Sequence, residues 1–282
     1  MSSNAADIES LPPLREIIAA HNLRAEKKLG QNFLLDLNLT DKIVRGAGGL
    51  SGMNVIEIGP GPGGLTRSLL KTEAVSVTAL EFDPRAIEAL QSLQAAANGR
   101  LTLMQQDALT ADLTALVPAP RAIVANLPYN IATPLLIGWL AQIRNDAGAY
   151  NSMTLMFQKE VAERITARPG TKAYGRLSIL AGWLCETKKV MDLPPGAFTP
   201  PPKISSSVVR FIPRPPEADA PPFKAIETLT AAAFGQRRKM LRSSLKDYAA
   251  ALEACHIDPT MRAEELSIAD FISLAKTIAI KP

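Results

Sequence analysis

The stretch "NVIEIGPGPGGLT" (54–66) decides the fold of this chain. It begins with an apolar, β-branched run that is typical of a buried strand. It then passes through a glycine-rich turn into "LTRSLLK" (65–71), which has the pattern of a helix. Glycine lets backbone approach a ligand closely, and the first amides of the helix would face that ligand. The stretch therefore predicts a strand, a ligand-binding loop and a helix in succession.

Strands and helices continue to alternate beyond this unit. Strands are predicted at 75–81, 101–107, 122–126 and 152–158, and helices at 84–97, 133–143 and 159–168. Later, "LSILAGWLC" (177–185) and "SSVVRFIP" (206–213) have the character of further strands. The alternation predicts an α/β fold, in which helices cover both faces of a parallel sheet.

The composition is that of an ordinary folded protein. Of the 282 residues, 47% are hydrophobic and 21% are charged, and the formal net charge is +4. This mildly basic balance permits a polyanionic partner without requiring one. The two histidines, His21 and His256, lie far apart and form no cluster with the two cysteines, so we expect no metal site.

Cysteine use and hydropathy favour the cytoplasm. Cys185 and Cys255 form no CxxC pair, which indicates a reducing compartment. The opening "MSSNAADIES" is polar and acidic and does not resemble a signal peptide. Because the longest apolar stretches, 131–143 and 177–185, are too short to span a bilayer, we expect a cytoplasmic protein without a membrane partner.

Changes in composition divide the chain into four parts. Residues 1–23 are interpreted as a loose leader with a short helix, and residues 24–212 as the sheet domain. The proline-rich, acidic stretch "PRPPEADAPP" (213–222) is typical of a linker. Residues 223–282 have a helical pattern and predict a small C-terminal helical domain.

The glycine loop fits two cofactor patterns. Gly59, Gly61 and Gly64 satisfy the GxGxxG pattern of dinucleotide-binding proteins. The alternative set Glu57, Gly59, Gly61 and Gly63 satisfies the ExGxGxG pattern of S-adenosylmethionine enzymes. Either pattern alone is weak evidence, because a plain strand-to-helix turn also uses glycines.

Two acidic residues at the ends of neighbouring strands suit a nucleoside. Glu81 ends the second predicted strand, where a carboxylate can accept hydrogen bonds from both ribose hydroxyls. Asp107 ends the third, where a carboxylate could hold an adenine amine. We therefore expect the two side chains to hold opposite ends of an adenosine.

The fourth strand ends in "NLPYN" (126–130), which separates the two cofactor classes. An adenine amine is a poor nucleophile because its lone pair is delocalised, so a methylating site must accept hydrogen bonds from its protons. Asn126 can offer a side-chain oxygen, and Leu127 a backbone oxygen held extended by Pro128. Tyr129 can stack on an extruded base. The four residues predict methyl transfer by positioning and electrostatics, without a general base.

A second aromatic residue, Phe198, lies between the proline clusters of "PPGAFTPPPKISSSVV" (194–209). Its ring could cover the other face of the base, or it could anchor a stiff loop in the core. Both interpretations stay open.

These motifs together resemble the small-subunit ribosomal RNA adenine dimethyltransferases, which are relatives of the ribosomal RNA methylases of macrolide resistance. The resemblance spans nearly the whole chain from about residue 24, through "KKLGQNFL" (27–34), "IEIGPGPGGLT" (56–66), "ALEFD" (79–83), "QQDAL" (105–109), "ANLPYNIATPLL" (125–136), "FQKEVAERITARPGTKAYGRLS" (157–178), "FTPPPKISSSVVR" (198–210) and "AAFGQRRKMLRSSL" (232–245). It implies a Rossmann-like S-adenosylmethionine-dependent methyltransferase sheet with a small C-terminal helical domain.

The resemblance also implies the residues of the site. Contacts to S-adenosyl-L-methionine fall on Asn32, Leu34, Gly59, Gly61, Glu81, Asp107 and Asn126. The target-base roles fall on Asn126, Leu127, Pro128 and Tyr129, with Phe198 as the second stacking ring. Pro62 departs from the family's pattern, because it adds to the glycine loop a residue that cannot donate an amide.

The implied substrate is a hairpin near the 3′ end of 16S ribosomal RNA. Two adjacent adenosines would become dimethyladenosines in a pre-30S particle, with a role in small-subunit assembly, and we expect a monomer. A DNA adenine methylase is an alternative that usually has proline where Leu127 stands. A large-subunit methylase of the resistance type usually reads "NIPY". A non-catalytic assembly factor would not need an intact Asn126–Tyr129 motif.

Basic residues mark the expected RNA contacts, namely Lys27, Lys28, Arg237, Arg238, Lys239, Arg242 and Lys246. On one continuous helix, Arg238, Arg242 and Lys246 would share a face at a spacing of four and could follow phosphates. A merely solvated basic face would have the same pattern. The adenine-type motif therefore decides in favour of RNA.

Overall fold

A computed structural model describes residues 7–26, 30–236 and 238–280 of the chain. Its main sheet has seven strands in the order β4-β3-β2-β5-β6-β9-β7, and β1 and β8 form a separate pair. The strands are β1 (Phe33–Leu34), β2 (Asn54–Ile58), β3 (Ser76–Glu81), β4 (Leu101–Gln105), β5 (Arg121–Ala125), β6 (Ser152–Gln158), β7 (Cys185–Leu193), β8 (Phe198–Thr199) and β9 (Ser206–Pro213).

Helices connect most of these strands. They span Leu14–Ala20, Leu37–Gly46, Gly64–Leu70, Pro84–Ala89, Gln91–Ala96, Leu113–Leu116, Tyr129–Asn145, Lys159–Ile165, Arg176–Leu184, Phe223–Gly235, Leu241–Ser244, Ala249–Ala254 and Ile268–Ile280. The helix predicted over 84–97 is thus divided in two at Leu90. No helix in the described part of the chain is long and apolar enough to cross a membrane.

Strands β2 to β6 run parallel, and β9 pairs antiparallel with β6, so the predicted α/β fold is confirmed. All five residues of β2 are buried, as expected for a central parallel strand covered on both faces. Val55, Val77 and Val124 lie in one apolar cluster with Ile43 and Leu69 of two flanking helices. This packing fixes the carboxyl ends of β2, β3, β4 and β5 at one edge of the sheet.

The strand predicted at 177–185 is wrong, because residues Arg176–Leu184 form a helix. Its amino terminus is capped by the Ser178 hydroxyl, which accepts a hydrogen bond from the Gly175 amide at 3.1 Å. A short run that is apolar on nearly every side shows no helical periodicity, and such runs cannot be told from strands by pattern alone.

Spatial contacts divide the chain into two compact units. One comprises Met1–Gly138, Gly148–Ala162 and Lys188–Ile212, and the other comprises Trp139–Ala147, Glu163–Thr187 and Pro213–Pro282. The second unit therefore includes two inner segments besides the C-terminal residues. As functional domains, the boundaries predicted from the sequence (1–23, 24–212, 213–222, 223–282) remain a prediction.

The second unit has its own aromatic packing. Phe234 contacts Tyr174 edge-to-face and stacks on Phe271, with ring centroids 6.2 and 6.0 Å apart. Within the same unit, the proline-rich stretch 213–222 is anchored rather than free. Arg144 donates hydrogen bonds to the carbonyls of Ala220 and Pro221.

The leader is packed, not loose, over its described residues 7–23. Ile8, Leu14, Ile17 and Leu23 are buried within the first unit. In addition, the buried Arg67 guanidinium donates a hydrogen bond to the Pro12 carbonyl at 2.8 Å. The apolar residues of this segment therefore belong to the core, and those of the helix Leu14–Ala20 lie on its buried face.

Replacement of Leu23 by alanine tests this packing. Because Leu23 is fully buried, Leu23→Ala should lower the free energy of unfolding by about 2–5 kcal/mol. Urea denaturation measures the loss, and Glu16→Ala, on the exposed face of the same segment, should change it by about 0.5 kcal/mol or less. Equal stability of the two variants would mean that the leader does not contribute to the core.

Candidate active site

A cleft lies at the carboxyl ends of β2, β3 and β5 in the first unit. Every residue predicted to contact a cofactor lines it, namely Asn32, Leu34, Gly59, Gly61, Glu81, Asp107 and Asn126. Leu127, Pro128 and Tyr129 line it as well. The fold thus brings together in one cavity residues from five separate segments of the chain.

The glycine loop is shaped by close packing. Gly59, Gly61 and Gly63 all have positive φ values, between 53 and 88°. A Cβ atom on Gly61 would lie 2.9 Å from the Phe33 ring, and one on Gly64 would lie 2.4 Å from the Leu34 carbonyl oxygen. Glycine is therefore required here by backbone conformation and by contact with the segment that carries β1.

Glu81 is held by three backbone amides. Its Oε1 accepts hydrogen bonds from the amides of Phe82 and Asp83 at 2.8 and 2.9 Å, and its Oε2 accepts one from Gly61 at 3.2 Å. Burial raises the pKa of Glu81, and the amides oppose that shift. Because a carboxylate oxygen can accept two hydrogen bonds, Oε2 keeps capacity for a ligand hydroxyl.

A polar network holds the segment before β1 against this end of the cleft. Arg85 donates to both carboxylate oxygens of Asp83 at 3.0 and 2.7 Å, and its Nη2 lies 2.7 Å from Glu26 Oε1. Gln31 donates to Asp83 at 3.3 Å and accepts from the Glu26 amide at 3.0 Å. Arg85 holds the pKa of Asp83 below its usual range, so the pair stays charged at neutral pH.

Asn126 is oriented by a bond across the cleft. Its side-chain NH₂ group donates to the Asn32 carbonyl at 3.0 Å, which leaves the side-chain oxygen free. Neither this oxygen nor the Leu127 carbonyl accepts a hydrogen bond from any residue that the structure describes. The Pro128 carbonyl, by contrast, accepts from the amides of Ile131 and Ala132 at 3.1 and 3.0 Å, in the first turn of the helix. Two neutral acceptors are thus left at the end of β5.

Tyr129, the first residue of that helix, lines the cleft, and its phenol group contacts Ser206. The phenol oxygen lies 2.5 Å from the hydroxyl oxygen of Ser206. Burial raises the pKa of Tyr129, which therefore stays neutral at ordinary pH. The hydroxyl is engaged within the protein, and the ring remains as the contact surface.

Phe198 does not line the cleft. It is 3% exposed, lies in the core cluster, and pairs with Leu34 between β8 and β1. This burial and the pairing with Leu34 favour Phe198 as an anchor for the Leu34 segment, and its role as a second stacking ring remains a prediction. A proline-flanked aromatic residue gives no pattern that would separate these two roles from sequence alone.

Sequence reasoning missed two apolar residues of the cleft. Phe82 and Leu109 line it and are 62% and 49% exposed. Each follows one of the predicted acidic residues, Glu81 and Asp107, and exposed large apolar side chains suit a flat aromatic ligand. The sequence feature that could have identified them is a large apolar residue one or two positions after the acidic residue that ends a predicted strand.

The predicted basic strip is wrong as a helix face. The helix Phe223–Gly235 ends before Arg238 and Lys239, while Arg242 and Lys246 lie in separate short turns. Beyond that end, the Leu241 and Arg242 amides donate to the Met261 and Pro259 carbonyls, so the chain does not continue as one helix. These four basic residues are nevertheless exposed. Lys27, Lys28 and Arg237 lie outside the described residues.

Comparison with known proteins assigns the chain to a family of enzymes. Residues 22–280 match the sequence profile described as ribosomal RNA adenine dimethylase. The chain belongs to the ribosomal RNA adenine dimethylase family. As a member, it is an S-adenosyl-L-methionine-dependent methyltransferase.

The curated relatives match over nearly their full length. The chain is 53% identical to ribosomal RNA small subunit methyltransferase A of Rhodospirillum rubrum, over 96% of this chain and 93% of that protein. It is 56% identical to the protein of the same name from Brucella abortus, over 95% and 98%. These relatives place the chain firmly within the dimethylase family.

Solved structures agree with the family assignment. A dimethyladenosine transferase from Plasmodium falciparum is 26% identical, with a TM-score of 0.71 over 85% of this chain and 94% of that one. The 23S rRNA methyltransferase ErmE shares the fold at 24% identity, with a TM-score of 0.64 over 88% and 100%. The dimethylase fold is thus common to enzymes named for different RNAs.

Glu57 is a buried carboxyl of the cleft whose charge depends on pH. Its Oε2 accepts no hydrogen bond from the described residues. Burial, aided by the neighbouring Glu81, raises its pKa from 4.5 to about 8. Between these values the folded chain binds this proton and the unfolded chain does not, so the free energy of unfolding falls as pH rises.

Replacement of Glu57 by glutamine should remove this dependence. Without ligand, Glu57→Gln should gain stability relative to the unaltered protein as pH rises from about 5 to about 8, by at most about 1.4 kcal/mol per pH unit. Urea denaturation at several pH values measures the difference. Glu73→Gln, at an exposed position, should show no such trend, and a flat difference for Glu57→Gln would contradict the burial argument.

Proposed function

We propose that this enzyme methylates the N6 amines of two adjacent adenosines in a hairpin near the 3′ end of 16S ribosomal RNA, which gives dimethyladenosines. The relatives named small subunit methyltransferase A support this choice of subunit. The observation that carries the chemistry is the orientation of Asn126, whose NH₂ group is bound to Asn32 and whose oxygen is free. We further propose that the enzyme acts in the cytoplasm, as a monomer, on a pre-30S particle and contributes to small-subunit assembly.

The residues of the cleft fit S-adenosyl-L-methionine. The Glu57 Oε2 atom, which has no hydrogen-bond partner among the described residues, suits an ammonium group, and Glu81 has capacity for ribose hydroxyls. Phe82 and Leu109 offer apolar surface to an adenine ring, beside Asp107. Asn32, Leu34, Gly59 and Gly61 would complete the binding surface. When bound, this cofactor supplies a methyl group activated on a sulfonium.

Asn126 and Leu127 would act on the target amine. Each offers a neutral oxygen, one from a side chain and one from the backbone, to a proton of the amine. Accepting both protons favours a tetrahedral nitrogen, whose lone pair is directed away from the ring and toward the methyl group. Fixed acceptors need no reorganisation during the reaction, so they lower its barrier by electrostatic preorganisation.

Tyr129 would hold the target base. Tyr129 lines the cleft, and stacking on an aromatic side chain is worth about 1–3 kcal/mol for each base. Pro128 restricts the backbone next to Tyr129 and so helps to determine where the tyrosine side chain is attached. Because the base must leave its stack to enter the cleft, the ring replaces contacts that the base gives up.

The exposed residues Arg238, Lys239, Arg242 and Lys246 would contact RNA phosphates, and we assign Lys27, Lys28 and Arg237 to the same role. Phosphate contacts of this kind are independent of sequence and weaken with salt. Since the four described residues do not share a helix face, they would bind as a dispersed patch rather than follow one strand.

The direct test is transfer of radiolabelled methyl groups to unmethylated small subunits, with large subunits and DNA offered in parallel. Primer extension should stop at two adjacent adenosines near the 3′ end of 16S rRNA. Large-subunit methylases, DNA methylases and binding-only factors are distinguished by the same assay. Label only in 23S rRNA, only in DNA, or in no nucleic acid would contradict the proposal.

Variants of the loop after β5 test the residue roles. Asn126→Ala should lower kcat about 100- to 1,000-fold, as loss of a preorganised acceptor implies. Tyr129→Ala should lower kcat/KM for the subunit about 10- to 100-fold, while binding of S-adenosylhomocysteine, measured by calorimetry, stays largely intact. Tyr129→Phe keeps the ring and loses only the phenol hydrogen bond, so it should lower kcat/KM by about tenfold at most. Cofactor affinity that falls as far as turnover in Tyr129→Ala would contradict the stacking role.

A further inference from the structure

Two consecutive serines begin β9, and they serve different partners. Ser206 and Ser207 are both fully buried and pair with Gln158 and Phe157 of β6. Adjacent strand residues point to opposite faces of a sheet. Accordingly, Ser207 donates to Asp192 Oδ1 at 2.6 Å, whereas the Ser206 hydroxyl lies 2.5 Å from the Tyr129 phenol oxygen.

The hydrogen bond of the Tyr129 phenol can determine the orientation of the ring. The Tyr129 backbone is held in the first turn of the helix Tyr129–Asn145, of which it is the first residue. The ring can still turn about two side-chain torsions. A hydrogen bond at the far end of the ring restricts both, since it fixes the atom farthest from the backbone.

Ser206 itself is absent from the cleft lining. It therefore meets neither the cofactor surface nor the space for the base, and any effect it has on catalysis passes through Tyr129. The bond joins two segments 77 residues apart in the sequence. No local pattern in either segment would reveal the link.

We propose that Ser206 is a positioning residue that holds the ring of Tyr129 in the orientation required to stack on the target adenine. The proposal rests on the stacking role given to Tyr129 above. A ring already fixed before the substrate arrives loses less conformational freedom on binding. The benefit is therefore expected in the step that uses the RNA and not in cofactor binding.

The test compares Ser206→Ala with Ser207→Ala. Each variant removes one hydroxyl from a fully buried position and one hydrogen bond, but only the first releases Tyr129. Ser206→Ala should lower kcat/KM for unmethylated small subunits about three- to tenfold, in line with one hydrogen bond. Ser207→Ala should stay within about twofold of the unaltered protein, and both should bind S-adenosylhomocysteine normally by calorimetry.

A double-mutant cycle identifies the partner. Tyr129→Phe removes the same hydrogen bond from the other side and keeps the ring. The variant with both changes should be no slower than the slower single variant, because the shared bond can be lost only once. Urea denaturation should show the same non-additivity in the free energy of unfolding, which is a readout independent of turnover. If Ser206→Ala fails to fold, Tyr129→Phe compared with Ser207→Ala measures the same loss.

The outcomes separate this proposal from the function on which it rests. Equal effects of Ser206→Ala and Ser207→Ala would reduce Ser206 to a structural residue and overturn the proposal. Additive effects of Ser206→Ala and Tyr129→Phe would also overturn it, even if Tyr129→Ala is slow. Full activity of Tyr129→Ala would instead remove the stacking role itself.

Discussion

The hydrogen bond from the Asn126 side chain to the Asn32 carbonyl is the constraint on which the site depends. An asparagine amide has a donor end and an acceptor end, and it can turn by 180° to exchange them. Binding the donor end to a backbone oxygen prevents that exchange and leaves the acceptor oxygen available. The same bond attaches the catalytic loop to the segment that carries Asn32 and Leu34, so the two sides of the cleft are fixed relative to each other.

That attachment requires an unusually close approach of backbone to backbone. Cβ atoms at Gly61 and Gly64 would collide with Phe33 and with the Leu34 carbonyl, so glycine is needed at both positions for the loop to pack against the β1 segment. Phe198 of β8 pairs with Leu34 of β1 and so holds the same segment in place. The cleft wall is therefore one continuous packed layer, in which the glycines are needed as much for contact within the protein as for contact with a ligand.

The sequence predicts those features that are encoded locally. Strands β2 to β6 are largely apolar runs bounded by turns. Glu81 ends β3 and Asp107 lies two residues beyond the end of β4, so both the sheet and its acidic edge follow from pattern. The helix Arg176–Leu184 does not, because a short apolar run lacks periodicity. Beyond Gly235, the amides of Leu241 and Arg242 donate to the carbonyls of Met261 and Pro259, and no local pattern reveals these distant partners. Asn32 came from family resemblance alone, because its bond to Asn126 joins residues 94 positions apart.

The chemistry of the cleft divides between groups that titrate and groups that do not. Glu57 and Glu81 are buried carboxyls with raised pKa values, so changes in pH act on the stability of the fold and on the surface that would hold a cationic ligand. The oxygens of Asn126 and Leu127 keep the same capacity to accept hydrogen bonds at every pH. A site built from neutral acceptors can orient an amine without first being deprotonated. A dependence of turnover on pH is therefore expected from the carboxyls or from the RNA rather than from the two oxygens proposed to bind the reacting nitrogen.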